Sequence, residues 1–141
     1  MNPISETFNI DCLEYMKTIP DNHFDLAIVD PPYGLDKKST NGRGKLKNRI
    51  LNTGHIQDWD IKPTEEYFNE LFRVSKNQII WGGNYFSLPP TRCFVVWDKQ
   101  QPWENFSQAE LAWTSFDKPA KMITISKSTG GGAKSIPHKS L

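Results

Sequence analysis

The chain has 141 residues, a length that fits one domain and leaves little room for two. Its formal net charge of +1 at pH 7 excludes a globally basic surface, so any contact with nucleic acid requires a local basic patch. Cys12 and Cys93 form no disulfide framework, and neither they nor His23, His55 and His138 show metal-ligand spacing. Without a signal peptide or a run of roughly 20 apolar residues, we expect a cytoplasmic protein that binds no metal and enters no membrane.

The first 30 residues predict two short strands with a helix between them. Residues 7–10 form an extended candidate, and residues 13–19 read as one or two helical turns that Pro20-Asp21-Asn22 interrupts. Residues 24–29 predict a second strand, and its continuous apolar end indicates burial on both faces, as in a parallel sheet. This strand ends at Asp30 because the two prolines that follow lack N–H donors and cannot continue a ladder.

A long basic loop, residues 34–57, separates the two halves of the chain. Loops of this length inside a compact domain are usually functional or disordered. We expect the loop either to contact the phosphates of a nucleic acid or to remain a solvated, flexible segment. Its basic side chains are Lys37, Lys38, Arg43, Lys45, Lys47 and Arg49.

The second half predicts one clear helix and four strands. Residues 64–75 form the helix, with Thr64 as its N-cap and with Glu65 and Glu66 in the first turn, where the helix dipole favours acids. A broad apolar face predicts that this helix is buried on one side. The last two strands are expected to form a closing hairpin around Asp117-Lys118-Pro119. The predicted strands are residues 78–81, 93–97, 111–116 and 121–126.

The alternation of strands and helices predicts an open α/β sheet, which occupies residues 1–127 and leaves residues 128–141 as an irregular tail. Ligands of such sheets bind outside the carboxyl ends of the strands. Asp30, Gly82 and Asp98 each follow a predicted strand, so we expect them to share one rim of the sheet.

The segment Asp30-Pro31-Pro32-Tyr33 combines two hydrogen-bond acceptors with an aromatic ring. An exocyclic amine on a nucleic-acid base is a poor nucleophile because its lone pair is delocalised into the ring. The Asp30 carboxylate and the Pro31 carbonyl can accept the two amine hydrogens and so favour a localised lone pair. The prolines fix φ at about −65°, so both acceptors are in place before reaction. Tyr33 can stack on a base that has left the double helix, which offsets part of the cost of unstacking.

Purely structural roles remain open for this segment and for two other candidate segments. The four-residue segment can be a plain turn between a strand and a loop. Trp81-Gly82-Gly83-Asn84 either brings backbone close to a substrate, since glycine has no Cβ, or forms a tight turn. Asp98 and Lys99 either line the cleft or form an exposed ion pair.

Several segments together resemble the N6-adenine and N4-cytosine DNA methyltransferases of the permuted class, in which the catalytic motif precedes the cofactor motif. The similarity begins with Ile10-Asp11-Cys12-Leu13-Glu14 and Ile19-Pro20-Asp21-Asn22, and continues through residues 24–34. It resumes at residues 73–86 and at Val96-Trp97-Asp98-Lys99, and it covers roughly residues 6 to 127. The acid in the first position of the motif points to adenine, because the cytosine enzymes more often carry serine there.

The resemblance implies an enzyme with a Rossmann-like sheet that transfers a methyl group from S-adenosylmethionine to adenine N6 at a specific site in double-stranded DNA. Such enzymes belong to phage and restriction–modification systems. It places the target amine at Asp30-Pro31-Pro32-Tyr33, and it places Asp30 and Pro31 also against the methionine end of the cofactor. Asp11 and Cys12 would contact the cofactor's adenine ring, although Asp11 is equally a candidate helix N-cap. Cytosine N4 and an amine in RNA remain the alternative targets.

The resemblance is incomplete, because the family's cofactor motif, Phe-x-Gly-x-Gly, is absent from the sequence. In the sheet of such enzymes, the two central strands that accompany that motif lie between the strand of residues 7–10 and the strand of residues 24–29. Both of these central strands would then be missing here. We therefore expect a C-terminally truncated chain with an incomplete sheet that is open along residues 24–29. A marginal fold, a rearranged N-terminus or an association that covers this edge would follow. The associating molecule would be a complementing C-terminal chain or a second copy, and the alternative to an enzyme is an inactive fragment.

Overall fold

The computed structural model describes residues 4–34 and 61–126. Within these ranges the chain forms a mixed α/β structure in which two α-helices and a short 3₁₀ helix accompany one five-stranded sheet. Neither α-helix has the length and apolar character needed to cross a bilayer. The helices are α1 (Cys12–Lys17), α2 (Glu65–Val74) and the 3₁₀ helix Gly83–Tyr85, and the strands are β1 (Phe24–Val29), β2 (Ser75–Trp81), β3 (Phe94–Asp98), β4 (Ala109–Thr114) and β5 (Lys121–Thr124).

The strand order in the sheet is β1-β2-β4-β3-β5. β1 is parallel to β2, β4 is antiparallel to both β2 and β3, and β5 is parallel to β3. Four of these strands therefore run in one direction and β4 runs in the other. The carboxyl ends of β1, β2 and β3 lie at the same edge, so the prediction that Asp30, Gly82 and Asp98 share one rim is confirmed.

Side-chain caps begin both α-helices. The Asp11 carboxylate accepts a hydrogen bond from the Glu14 backbone N–H at 3.1 Å at the start of α1. The Thr64 hydroxyl accepts from the Tyr67 backbone N–H at 3.4 Å at the start of α2, as the sequence predicts. Each cap satisfies a donor that has no partner within the helix, and so it sets the residue at which the helix begins.

The core lies between the two helices and one face of the sheet. The apolar face predicted for α2 is buried against β2 and β4, where Ile80 has no exposed surface and Trp113 is 8% exposed. α1 contributes Met16 to the same cluster. The buried cluster comprises Met16, Tyr67, Phe68, Leu71, Val74, Ile80, Phe86 and Trp113.

Arg73 fastens the end of α1 to α2. Its guanidinium donates hydrogen bonds to the carbonyl oxygens of Met16 at 2.9 Å and Ile19 at 2.8 Å. It also pairs with Asp21 at 2.7 Å and with Glu70 at 2.6 Å. The planar fork of five donors suits such a set of acceptors, so this one side chain holds α1 and the turn after it against α2.

The prediction that β1 is buried on both faces is wrong. Val29 pairs with the core residue Ile80, so the alternation along the strand turns Leu26 and Ile28 towards the opposite face of the sheet. Leu26 is 42% exposed and Ile28 is 62% exposed. The reason is that, in the part of the chain that the structure describes, both α-helices contribute to a core on one face only.

The predicted closing hairpin is also wrong, because β3 lies between its two strands. Val95 of β3 pairs with Ala112 of β4 on one side and with Lys121 of β5 on the other. The connection after β4 passes the start of β3, where Asp117 pairs with Arg92 at 2.5 Å. β5 thereby supplies backbone partners to the second edge of β3, which a direct β4–β5 hairpin would leave open.

Residues 7–10 are irregular, so the strand predicted there is wrong. The Phe8 ring stacks on Tyr15 of α1, with ring centroids 5.0 Å apart and planes inclined by 27°. A strand needs a neighbour to satisfy its backbone groups, and the sheet order of the described residues places no strand beyond β1.

Candidate active site

The turn after β1 forms one wall of a pocket of about 580 Å³ at the rim of the sheet. Asp30, Pro31 and Pro32 line it from the turn after β1, while Asp11 and Cys12 line it from the start of α1. The third wall is the segment that leads into α2. The pocket therefore gathers the residues predicted to contact the cofactor and three of the four motif residues. Its other lining residues are Leu13, Val29, Ile61, Lys62, Pro63, Thr64 and Tyr67.

The Asp11 side chain both caps a helix and lines the pocket. Its carboxylate caps α1 through the Glu14 N–H, which confirms the structural alternative for this residue. It also lines the pocket, beside Cys12. A carboxylate offers about four acceptor sites, so the cap leaves capacity for a ligand's hydroxyl or amino group.

Cys12 lies beside the hydroxyl of Tyr67, which is a buried residue of α2. Burial, with a smaller contribution from the neighbouring Cys12, raises the pKa of Tyr67 to about 12. Tyr67 is therefore a neutral hydrogen-bonding group near pH 7. Both side chains line the pocket, Tyr67 from the buried core and Cys12 from an exposed position.

Lys62 is the one basic side chain among the described lining residues. Its ammonium nitrogen lies 5.8 Å from the centroid of the Phe86 ring. Its backbone and Cβ pack against Gly34, which adopts a left-handed φ of 63° and has no room for a Cβ. The pocket thus combines carboxylates, an ammonium group and apolar walls, which suits a ligand that carries both charged groups and apolar surface.

Tyr33 lies on the other side of the motif and does not line the pocket. Its hydroxyl donates a hydrogen bond to Asp30 Oδ1 at 3.0 Å. Its ring stacks on Tyr85, with centroids 4.6 Å apart and planes inclined by 19°. The stacked pair stands over Gly82, which has a left-handed φ of 67° at the end of β2. The turn interpretation of the two glycines is therefore confirmed, and the same turn also makes room for Tyr33.

The protonation of Tyr33 follows from this environment. Burial of the ring is the main cause that raises the pKa of Tyr33 above its ordinary value. The hydrogen bond to Asp30 and the nearby charges of Asp30 and Glu110 act in the same direction, because they disfavour a phenolate. Tyr33 is accordingly a stable hydrogen-bond donor to the Asp30 carboxylate near neutral pH.

Asp98 and Lys99 do not line the pocket. Asp98 accepts a hydrogen bond from the Gln100 N–H at 2.9 Å. Lys99 pairs with Glu110 of β4 and not with Asp98, and the residue is only 7% exposed, so the predicted exposed ion pair of Asp98 and Lys99 is wrong. Its ammonium group also lies 5.5 Å from the Trp97 ring centroid.

The predicted DNA-binding residues lie outside the described residues, as does the tail. The structure adds three side chains to the predicted site: Lys62 and Tyr67 at the pocket, and Tyr85 beside Tyr33. Tyr67 belongs to the apolar stripe of α2, and Tyr85 follows a turn, so neither carries a sequence signal that separates it from a core residue. The DNA-binding residues concerned are Lys37, Lys38, Arg43, Lys45, Lys47 and Arg49.

Comparison with known proteins relates part of the chain to a methyltransferase. Over 83 residues, or 59% of this chain, the sequence is 32% identical to the type II methyltransferase M.BamHI of Bacillus amyloliquefaciens. The matched region spans 17% of the length of that relative. No protein-family model matches the chain. The match supports a distant relationship to methyltransferases for the part of the chain that it covers.

Proposed function

We propose that this chain carries the catalytic portion of a DNA methyltransferase that transfers a methyl group from S-adenosylmethionine to the N6 amine of adenine. The observation that carries this proposal is the position of Asp30-Pro31-Pro32. This segment forms a wall of a mixed-polarity pocket, while its next residue, Tyr33, joins an aromatic pair on the other side. A transferase for two substrates needs its reacting group between two such sites, and the partial similarity to a type II methyltransferase supports the same class.

The lining residues fit the proposed cofactor. S-adenosylmethionine carries an amino group, a carboxylate, ribose hydroxyls and an adenine ring, and when bound it supplies an electrophilic methyl group on a sulfonium centre. Asp11 and Asp30 can accept hydrogen bonds from its hydroxyl or amino groups, and Lys62 can pair with its carboxylate. Leu13 and Val29 offer apolar surface to the ring.

Asp30 and Pro31 act on the target amine. Asp30 accepts one amine hydrogen and the Pro31 carbonyl accepts the second, so that the nitrogen lone pair points towards the pocket. A bound cofactor would supply the methyl group, its carbon–sulfur bond breaking as the amine nitrogen bonds to that carbon, and the Asp30 carboxylate or solvent would take the proton that the amine loses. Acceptors held by two prolines need little reorganisation during this change, which is the main contribution expected from the protein.

The basic segment between residues 37 and 49 supplies the contacts to DNA phosphates in this proposal. Phosphate contacts release counterions, so the observed affinity for DNA should fall as salt increases. Neutralising Lys45, Lys47 and Arg49 should reduce the steepness of that salt dependence. An unchanged slope would remove these three side chains from the interface.

We also propose that the sheet is completed by another polypeptide at β1, either a complementing C-terminal chain or a second copy. β1 is the edge strand of the described sheet. Leu26 and Ile28 of this strand are exposed on the sheet face opposite the core. An added strand would satisfy the open backbone edge. Sedimentation of the chain over a range of concentrations distinguishes a self-associating protein from one that waits for a different partner.

The decisive experiment measures methyl transfer to defined DNA and RNA oligomers, followed by nucleoside analysis. Labelled N6-methyladenine in DNA supports the proposal. N4-methylcytosine or a methylated RNA base would keep the enzyme class and change the substrate. Calorimetry with S-adenosylmethionine is the companion measurement, because a chain that neither binds the cofactor nor transfers a methyl group is an inactive fragment.

A further inference from the structure

Tyr33 is held by contacts that the motif by itself does not require. Its ring stacks on Tyr85 at a centroid distance of 4.6 Å, and Phe86 meets it edge-on at 6.2 Å. Tyr85 is 39% exposed, whereas Phe86 belongs to the buried core. Tyr33 therefore rests between a solvent-facing ring and the core, in an orientation that side chains after β2 determine.

Gly82 is the second element of this arrangement. Its φ of 67° is strained for any residue with a side chain. A Cβ at this position would also overlap the ring of Tyr33. Glycine is therefore needed here both for the turn at the end of β2 and for the close approach of the tyrosine ring.

The position of the ring determines where the hydroxyl points. The Tyr33 hydroxyl donates to Asp30 Oδ1 at 3.0 Å, and within the described residues no other group is seen to donate to this carboxylate. A carboxylate fixed through one oxygen presents the second oxygen in a defined direction. The ring of Tyr33 and its hydroxyl can thus have separate tasks, one towards the base and one towards Asp30.

We infer that Gly82 and Tyr85 are positioning residues that fix Tyr33, so that the Tyr33 hydroxyl orients the Asp30 carboxylate for the substrate amine. The inference rests on the proposed role of Asp30. It adds to that role a second segment of chain, the turn after β2, and a task for a hydroxyl group that phenylalanine would lack.

Nuclear magnetic resonance of the full chain tests the restraint directly. The chain would be labelled with ¹³C at the tyrosine Cζ and aspartate Cγ positions, and the variants would be Tyr85→Ala, Gly82→Ala and Tyr33→Phe. We expect Tyr85→Ala and Gly82→Ala to shift the Tyr33 Cζ signal, and all three variants to shift the Asp30 Cγ signal. Tyr15→Leu is the matched control, because Tyr15 also belongs to a stacked pair but lies on α1.

The outcomes separate clearly. If Tyr85→Ala folds and both the Tyr33 and the Asp30 signals keep their wild-type positions, the inference is overturned. If Gly82→Ala does not fold, Tyr85→Ala decides alone, because the partly exposed Tyr85 side chain can be removed with little loss of core. A shift of Tyr33 without any shift of Asp30 would also reject the proposed chain of contacts.

Kinetics then distinguish positioning from a merely structural role. We expect Tyr33→Phe and Tyr85→Ala to lower kcat about 10-fold, the size of one lost hydrogen bond to a charged group, with little change in the Kd for S-adenosylmethionine. An unchanged kcat in variants whose Asp30 signal has moved would contradict the positioning role. Absence of transfer by the unsubstituted chain would count against the proposed function alone, since the spectroscopic result still decides whether Tyr85 and Gly82 orient Asp30 through Tyr33.

Discussion

The two sides of the Asp30–Tyr33 turn are built differently. On one side, α1, β1 and the entry to α2 surround a pocket of about 580 Å³ with charges of both signs. On the other side, Tyr33 and Tyr85 stack on each other, and the Tyr33 hydroxyl is already bonded to Asp30. The pocket side has space for a ligand, whereas on the aromatic side Tyr33 is already stacked on Tyr85, which is 39% exposed. We therefore expect substitutions on the pocket side to change the affinity for a ligand, and substitutions on the aromatic side to change the orientation of the Asp30 carboxylate.

The largest effect is expected at Asp30, which belongs to both sides. Asp30→Ala removes the acceptor for the amine and the partner of the Tyr33 hydroxyl. We expect methyl transfer by a cofactor-competent form of the protein to fall by at least about 100-fold, the usual size of losing one preorganised electrostatic contact. Transfer measured with labelled S-adenosylmethionine checks this, and retained activity would remove Asp30 from the mechanism.

Arg73→Met should act on the pocket side alone. The substitution removes the hydrogen bonds that hold the end of α1 against α2, and it leaves an apolar side chain of similar length. We expect the midpoint of thermal unfolding to fall by several degrees, while the ¹³Cζ signal of Tyr33 stays in place. The control is Arg92→Met, which breaks the exposed pair with Asp117 and should change the midpoint little.

Asp11→Asn separates the two tasks of this side chain. Asparagine caps a helix about as well as aspartate, so the fold should be preserved. The loss of charge should weaken binding of S-adenosylmethionine about 10-fold, as measured by calorimetry, because a charge-assisted hydrogen bond becomes a neutral one. Glu14→Gln is the matched control, since Glu14 lies on α1 but does not line the pocket. Equal affinities for Asp11→Asn and the unsubstituted chain would confine Asp11 to its role as a cap.

The smallest effect is expected in the titration of Tyr33. Its pKa is raised mainly by burial and further by Asp30, so Asp30→Asn should lower the pKa only part of the way towards the ordinary value of about 10. Because the raised pKa belongs to the folded state, the associated stability is present below pH 10 and is lost as the pH rises further. A ¹³Cζ titration of both proteins measures the difference. A Tyr33 pKa that is the same in both would show that Asp30 has no electrostatic influence on it.

Local chemistry made much of the site predictable. The turn after β1 is predictable because consecutive prolines cannot continue a ladder, and the start of α2 because Thr64 can cap it. The shared rim of Asp30, Gly82 and Asp98 follows from the direction of parallel strands. The hairpin prediction failed because local turn signals do not reveal that β3 will lie between β4 and β5.

The sequence by itself determined the proposed reacting group, since acid, prolines and aromatic ring are adjacent in the chain. Only the tertiary structure decided which other side chains lie on each side of that group. Lys62 and Tyr67 reach the pocket, and Tyr85 reaches Tyr33, through strand order and helix packing over long sequence separations. The exposure of Leu26 and Ile28 has the same origin, because an apolar strand becomes buried on both faces only where other elements cover both.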